Sequence, residues 1–386
     1  MPARIAVGVS DSFDPVEAFS EAAQDAAREL DAPCDLCVLF AGPPHLGHAK
    51  WLLSAVHDEL DPAHLIGCGA SGVVGGGREI EGGAGAVVWA ASLPGVRVST
   101  HHLDARPADG EVEVGGLPEQ LEADALVVLA DPYSFATERL LEAVEVRRPG
   151  LPVLGGLVSA ASAGGGVLFH DGDVLAGGAV ACSFAGIGIV PCVSQGAVPV
   201  GPEMTITAAH GNVIQELASV PALERLKEAI AELPSRQQGL AADGLMLGLV
   251  IDENQPDYVA GDFLVRPIVG ADPEQGWVAI AEAVRVGQTA RLHVRDEISA
   301  DEDLRAALRT QATAFDTDGG AAGALLFTCN GRGSHMFTLP DHDAGAIEDT
   351  LGVPAGGFFC AGEIGPVGGR NFLHGFTATI AVFPRE

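Results

Sequence analysis

Residues 323–337 read GALLFTCNGRGSHMF, residues 341–352 read DHDAGAIEDTLG, and residues 353–383 read VPAGGFFCAGEIGPVGGRNFLHGFTATIAVF. Ala324 to Thr328 is an apolar run of strand length. It stops at Cys329-Asn330 and the turn Gly331-Arg332-Gly333. Asp343 to Leu351 suits a short helix. Phe358 to Ala361 is a second apolar run that stops at Gly362-Glu363, Gly365 to Gly369 turns, and Phe376 to Phe383 alternates β-branched and small residues as a final strand. The stretch therefore predicts strand, helix, strand, Gly-rich turn, strand.

The same order occurs twice more upstream. One copy runs through DLCVLFAG (35–42), AKWLLSAVHDEL (49–60), HLIGCGASG (64–72) and AGAVVWAASL (84–93). Another runs through DALVVLADP (124–132), ATERLLEAVEV (136–146), PVLGGLVSA (152–160) and GGAVACSF (177–184). Gly67-Cys68-Gly69, Gly155-Gly156-Leu157 and Gly357-Phe358-Phe359 correspond, and the turns at Gly42, Asp131 and Gly331 are expected in equivalent places.

Ahead of the first copy, Arg4 to Ser10 reads as a strand. Asp14-Pro15-Val16-Glu17 opens a helix to about Leu30, with a cap, a proline at the first position and an acid three residues after the cap. Arg291 to Gln311 echoes this with a strand, a capping box at Ser299-Ala300-Asp301-Glu302 and a helix. Between lie a helix from about Pro221 to Leu233, a polar breaker at Pro234 to Gly239, and strands near 245–251, 263–269 and 277–286. The uncharged span Val174 to Pro202 is broken by Pro191 and Pro199 and reads as short buried strands rather than a membrane helix. The expectation is an α/β protein with mixed sheets flanked by helices, in two domains, residues 1–220 and 221–386.

With 386 residues, 47% apolar, the chain has ample material for buried cores. The net charge is −31, and Lys50 and Lys227 are its lysines. Such a surface repels nucleic acid and anionic lipid, so neither a nucleic-acid partner nor membrane insertion is expected. With no secretory signal at Met1 to Ser10, a cytoplasmic protein with its seven cysteines reduced is expected.

Several constellations bear on chemistry. Gly67 to Gly72 fits G-x-G-x-x-G, but a further strand rather than a helix follows, which favours a tight turn over a dinucleotide site. Cys34-Asp35-Leu36-Cys37 lies at a strand, where residues three apart face opposite sides, so core thiols are expected. The twelve histidines do not cluster, and neither metal nor cofactor is expected. Asp131 ends a strand, where it either meets a ligand or caps the following helix. Glu363 sits in an apolar Gly-rich turn and needs a partner, for which Arg332 is the obvious candidate. The two either form a structural pair or face a pocket. Cys329 or Cys360, with His374 or His335 as base, keeps a thiol enzyme open.

Leu326 to Gly333, Gly357 to Pro366 and His374 to Ala378 resemble the FIST C-terminal domain. Gly67-Cys68, Leu129 to Pro132, Gly155 to Leu157, Ser194 to Gly196 and Pro199 to Pro202 resemble the FIST N-terminal domain. The resemblance spans nearly the whole chain. It implies a sensory domain of signal transduction that binds a small molecule, with amino acids as the suggested ligands. Members fused to an output module signal through it; this chain is expected to signal through a separate partner protein.

The ligand site is expected at the strand ends of the third copy: Cys329, Asn330, Gly331, Arg332, Gly333, Cys360, Gly362 and Glu363, with Asn371 and His374 nearby, and Asp131 as a further candidate. Arg332 would grip a carboxylate at two points and Glu363 an ammonium, the two pairing with each other when empty. A thiol hydrolase or transferase, and a protein-interaction scaffold without ligand, are the alternatives.

Overall fold

The structure of the chain, a computed structural model, describes residues 1–108, 111–161, 165–259, 261–315 and 319–386. It forms two compact units, one of Met1–Val193 with Leu304–Glu386, the other Ser194–Asp303.

The first unit opens with β1 (Arg4–Ser10), α1 (Pro15–Leu30), β2 (Leu36–Ala41), α2 (Ala49–Leu60), β3 (Leu65–Gly69), β4 (Gly72–Gly75), β5 (Arg78–Glu81) and β6 (Ala86–Ser92). It continues with β7 (Arg97–Ala108), β8 (Glu111–Gly115), β9 (Ala125–Ala130), α3 (Thr137–Arg147), β10 (Val153–Leu157), β11 (Val167–His170), β12 (Asp173–Ala176) and β13 (Ala179–Ala185). β14 (Val190–Gln195) leads into the second unit. That unit holds β15 (Ala197–His210), β16 (Val213–Leu217), β17 (Val220–Pro221), α4 (Ala222–Ala231), α5 (Ser235–Asp243), β18 (Leu245–Val250), β19 (Phe263–Ala271), β20 (Val278–Ile280) and β21 (Thr289–Arg295). The chain returns through α6 (Glu297–Phe315) to β22 (Ala321–Cys329), α7 (His342–Leu351), β23 (Ala355–Cys360), β24 (Glu363–Val367), β25 (Arg370–His374) and β26 (Thr377–Pro384).

One pairing scheme serves three segments. β2 runs parallel to β3 and antiparallel to β6; β9 does the same with β10 and β13, and β22 with β23 and β26. Each parallel pair is joined through a helix, as a parallel connection requires. Gly67, Gly155 and Gly357 lie opposite Leu39, Val128 and Leu326, and a Cβ on any of the three would overlap the facing carbonyl oxygen. In this register Gly42 and Asp131 match Cys329, two residues before the expected Gly331.

The hairpin after each parallel pair joins a neighbouring segment's sheet. β11–β12 extends the first sheet (order β1-β6-β2-β3-β11-β12), β24–β25 the second (β25-β24-β10-β9-β13-β7-β8), and β4–β5 the third (β14-β26-β22-β23-β4-β5). The exchange is cyclic. It explains why a cut at residue 221 does not follow the compact units: it would sever β23 from β4 and β24 from β10. Phe40, Trp89, Leu129, Phe184, Phe327, Phe358 and Phe383 share one core between the three sheets, while α1 and α2, α3, and α6 with α7 cover their outer sides through separate clusters. Asp14 caps α1 as its sequence requires, accepting from Val16 N and Glu17 N at 2.9 and 3.0 Å.

In the second unit the order β15-β21-β18-β19-β20-β16, with β15 and β16 also paired, closes an antiparallel strand ring. Met204, Ile206, Leu247 and Leu292 fill it together with Leu226 of α4. Two local expectations are corrected here. The breaker at Pro234 to Gly239 is the start of α5, because Pro234 at the cap leaves the following N–H groups free to begin a helix. The capping box at Ser299 lies inside α6, which starts two residues earlier; Ser299 Oγ instead donates to Asp296 Oδ2 at 2.5 Å. The strand of that echo, β21, belongs to the second unit's ring; the place β1 holds in the first sheet is held by β14 in the third.

Candidate functional site

Buried charge in the first unit gathers at the C-terminal ends of β22 and β23. The turn after Cys329 brings Arg332 back under the N-terminus of α7. There its Nε donates to Asp343 Oδ2 at 2.8 Å and its Nη2 to Asp343 Oδ1 at 2.7 Å, both side chains fully buried. The expected Arg332–Glu363 pair is thus replaced by Arg332–Asp343. The reason is geometric: one turn places guanidinium and carboxylate in a fork-to-fork arrangement. Thr328 Oγ1 also donates to Asp343 Oδ2, and His342 Nδ1 lies 2.8 Å from Asp343 Oδ1. Phe337 stacks on His342 and carries the Arg332 guanidinium 5.1 Å from its ring centre. Burial works against the Asp343 charge, yet the Arg332 guanidinium holds its carboxyl well below the usual range.

The exchanged hairpin supplies the next layer. Glu79 of β5 accepts from Asp343 N and Ala344 N at 2.8 and 3.0 Å and so caps α7 from another segment. Burial, reinforced by the Asp343 carboxylate, pushes Glu79 up to about 7. Glu81 accepts from Ser334 N and Ser334 Oγ. Gly333 adopts φ +52°, and a Cβ there would press on the Glu81 carboxylate and the Phe359 ring.

Glu363 opens β24. Its Oε2 accepts from Thr377 N at 3.1 Å and Thr377 Oγ1 at 2.9 Å, while Oε1 makes no hydrogen bond of ordinary geometry. Burial pushes this carboxyl up to about 8, against the lowering effect of Thr377, so it is largely protonated at neutral pH. The Cys329 thiol lies beside it, and burial with the neighbouring Glu363 pushes that thiol up to about 12. Among the described residues, Arg332 Nη1 has no hydrogen-bond partner and Glu363 Oε1 has no hydrogen-bonding neighbour beyond the Cys329 thiol, each on a fully buried side chain. Phe376, whose ring abuts Gly331, holds φ +64°, a conformation costly for a bulky residue.

The other expected residues divide between site and scaffold. Asn330 is half-buried, and its Oδ1 accepts from Ser71 Oγ at 2.8 Å. Cys360 packs over Gly156, and burial pushes its thiol well up. Gly362 O accepts from Leu157 N. Asn371 bonds Val153 N and Leu151 O, fixing β25 to the second sheet. His374 is buried, with Nε2 2.9 Å from Gly365 O. Asp131 serves its turn, accepting from Tyr133 N and Ser134 Oγ. Sequence reasoning missed Asp343, Thr328, Thr377 and Glu79; a threonine at the buried end of an apolar run was the available signal for Thr328. Among the described residues no group of three or more metal-ligating side chains occurs, and no helix is long and apolar enough to cross a membrane.

Residues 35–219 match the FIST N domain and residues 222–366 the FIST C domain. FIST domains are sensory, small-ligand-binding domains of signal transduction. Among curated proteins, the chain is 44% identical over 384 residues to Uncharacterized protein Rv0628c of Mycobacterium tuberculosis (strain H37Rv), covering 98% of this chain and 99% of the relative. It is likewise 44% identical over 385 residues to Uncharacterized protein Mb0898c of Mycobacterium bovis, covering 98% of each. The two adjoining domain matches cover most of the chain, and the chain belongs to the FIST family.

Proposed function

We propose that this protein is a sensor for a free amino acid, held at the ends of β22 and β23 between Arg332 and Glu363. The observation that carries the reading is a pair of buried atoms short of partners among the described residues: Arg332 Nη1, with none, and Glu363 Oε1, with only the weakly bonding Cys329 thiol beside it. Each costs about 1–3 kcal/mol if left without a partner, and an amino acid offers an acceptor for one and a donor for the other. Asp343 already occupies Nε and Nη2, so the carboxylate meets the Nη1 edge alone instead of being gripped at two points. Both side chains are fully buried, so entry requires a covering element to move, and the strained Phe376 against Gly331 is suited to that.

The signal passes to a separate partner protein. Relatives matched over 98–99% of their length support this, since the match leaves little of them for an attached output module. Seven free, buried cysteines support a reducing, cytoplasmic setting. The high proton affinity of Cys329 and Cys360 is the opposite of what an attacking thiolate needs, which weighs against the thiol-enzyme alternative.

A thermal-shift screen of free amino acids tests the reading, because a ligand of the folded state alone raises the melting temperature. Calorimetry with the best ligand should then find Glu363→Gln weakened by roughly tenfold or more. No shift with any amino acid, or full affinity in Glu363→Gln, would return Arg332 and Glu363 to a structural role.

A further inference from the structure

A second polar group, built from all three segments, lies at the same strand ends. Ser71 follows β3, Ser159 follows β10 and Asn330 follows β22, and all three are half-buried. Ser71 N donates to Ser159 Oγ at 2.8 Å, Ser159 Oγ donates to Phe359 O, and Ser71 Oγ lies 2.8 Å from Asn330 Oδ1 and 3.1 Å from Ser159 Oγ. Asn330 follows Cys329, whose thiol is paired with the Glu363 carboxyl, so the group and the anchors share the ends of β22 and β23.

Counting protons shows what the group can still offer. Asn330 Oδ1 only accepts, so the single hydroxyl proton of Ser71 goes to it, and the Ser159 proton goes to Phe359 O. Ser71 Oγ keeps accepting capacity, and the Asn330 carboxamide keeps both N–H donors, which make no hydrogen bond among the described residues. A donor and an acceptor lie side by side, with no charge in the group.

We propose that Ser71 and Asn330 read the side chain of the bound amino acid, and that the ligand carries a short uncharged hydroxyl or carboxamide. This rests on the amino-acid reading of the anchors. A hydroxyl or carboxamide supplies both the donor for Ser71 Oγ and the acceptor for Asn330 Nδ2. An apolar side chain of the same shape would leave both unpaired, the situation in which polar sites discriminate most strongly.

Calorimetry on matched pairs, threonine against valine and asparagine against leucine, tests this in the wild type, Asn330→Ala and Ser71→Ala, with melting temperature as the check on folding. In the wild type the polar member of at least one pair is expected to bind at least about tenfold tighter. Asn330→Ala and Ser71→Ala should each bring that ratio below about threefold. Wild-type binding of both members within about threefold, or an undiminished ratio in both variants, would overturn the assignment while leaving the anchors standing. If no amino acid binds the wild type, both fall.

Discussion

Arg332 and Asp343 form a two-point ion pair with no solvent access, Nε to Oδ2 at 2.8 Å and Nη2 to Oδ1 at 2.7 Å. The pair clamps the turn after β22 to the first turn of α7. Because the guanidinium is already committed, the site beside it offers a ligand one edge of an arginine rather than its fork.

Removing one partner should be costly. Asp343→Asn leaves a buried guanidinium without its counter-charge, and urea unfolding should record a loss of roughly 3–5 kcal/mol. The double variant Arg332→Met, Asp343→Leu should lose less than Asp343→Asn, because no charge stays buried. With its folded pKa depressed, Asp343 contributes stability that is present above the unfolded carboxyl's pKa of about 3.9 and lost as pH falls. A loss for Asp343→Asn below about 1 kcal/mol would mean the pair is solvated in solution.

Glu363 carries the opposite sign. Its folded pKa is pushed up to about 8 from 4.5, so between those values the folded state holds a proton that the unfolded chain has released. Stability therefore falls as pH rises through that window, and Glu79, pushed up to about 7, acts in the same direction. Glu363→Gln keeps the shape and removes the titration. Its stability-versus-pH curve should be flatter than the wild type's from pH 5 to 8, and at pH 8 it should be the more stable of the two. Parallel curves would place the Glu363 carboxyl in contact with water.

The thiols give a simpler reading. All seven cysteines are free and buried, and burial pushes Cys34 and Cys329 up to about 12. An aromatic disulfide reagent at pH 8 should find almost no reactive thiol in the native protein and seven in urea. Rapid native labelling of Cys329 would show that the turn at Phe376 opens readily.

Much of the backbone plan was legible because it is written in local signals. Apolar runs ending at Gly42, at Asp131 and just before Asn330-Gly331 located β2, β9 and β22, and Gly67, Gly155 and Gly357 are the residues over which a carbonyl passes too closely for any Cβ. The exchange of hairpins was not legible, since nothing in Gly72–Gly75 says that it pairs with β23 rather than staying in its own sheet. The site suffered from the same limit. Arg332, Cys329 and Glu363 stand out as polar residues at strand ends, but Asp343 looked like part of an ordinary helix start. Its identity as the partner depends on how the turn folds back, and Glu79 arrives from more than 260 residues away.

Proton release on binding offers the most direct test of the anchors. In the free protein Glu363, pushed up to about 8, is mostly protonated at pH 7. An amino acid's ammonium placed at Oε1 favours the charged carboxylate and pulls that pKa down. The complex should therefore shed about one proton per ligand at pH 7 and almost none at pH 9. Calorimetry at pH 7 in two buffers of different ionisation enthalpy reads this as a difference in apparent binding heat. Affinity should climb as pH rises to about 8 and then level, until the ligand's own ammonium begins to deprotonate. Glu363→Gln should bind more weakly and show neither the buffer difference nor the climb. Tight binding by the wild type with equal heats in both buffers would mean that the ammonium sits elsewhere, with Glu363 staying neutral as a hydrogen-bonding acid beside Cys329.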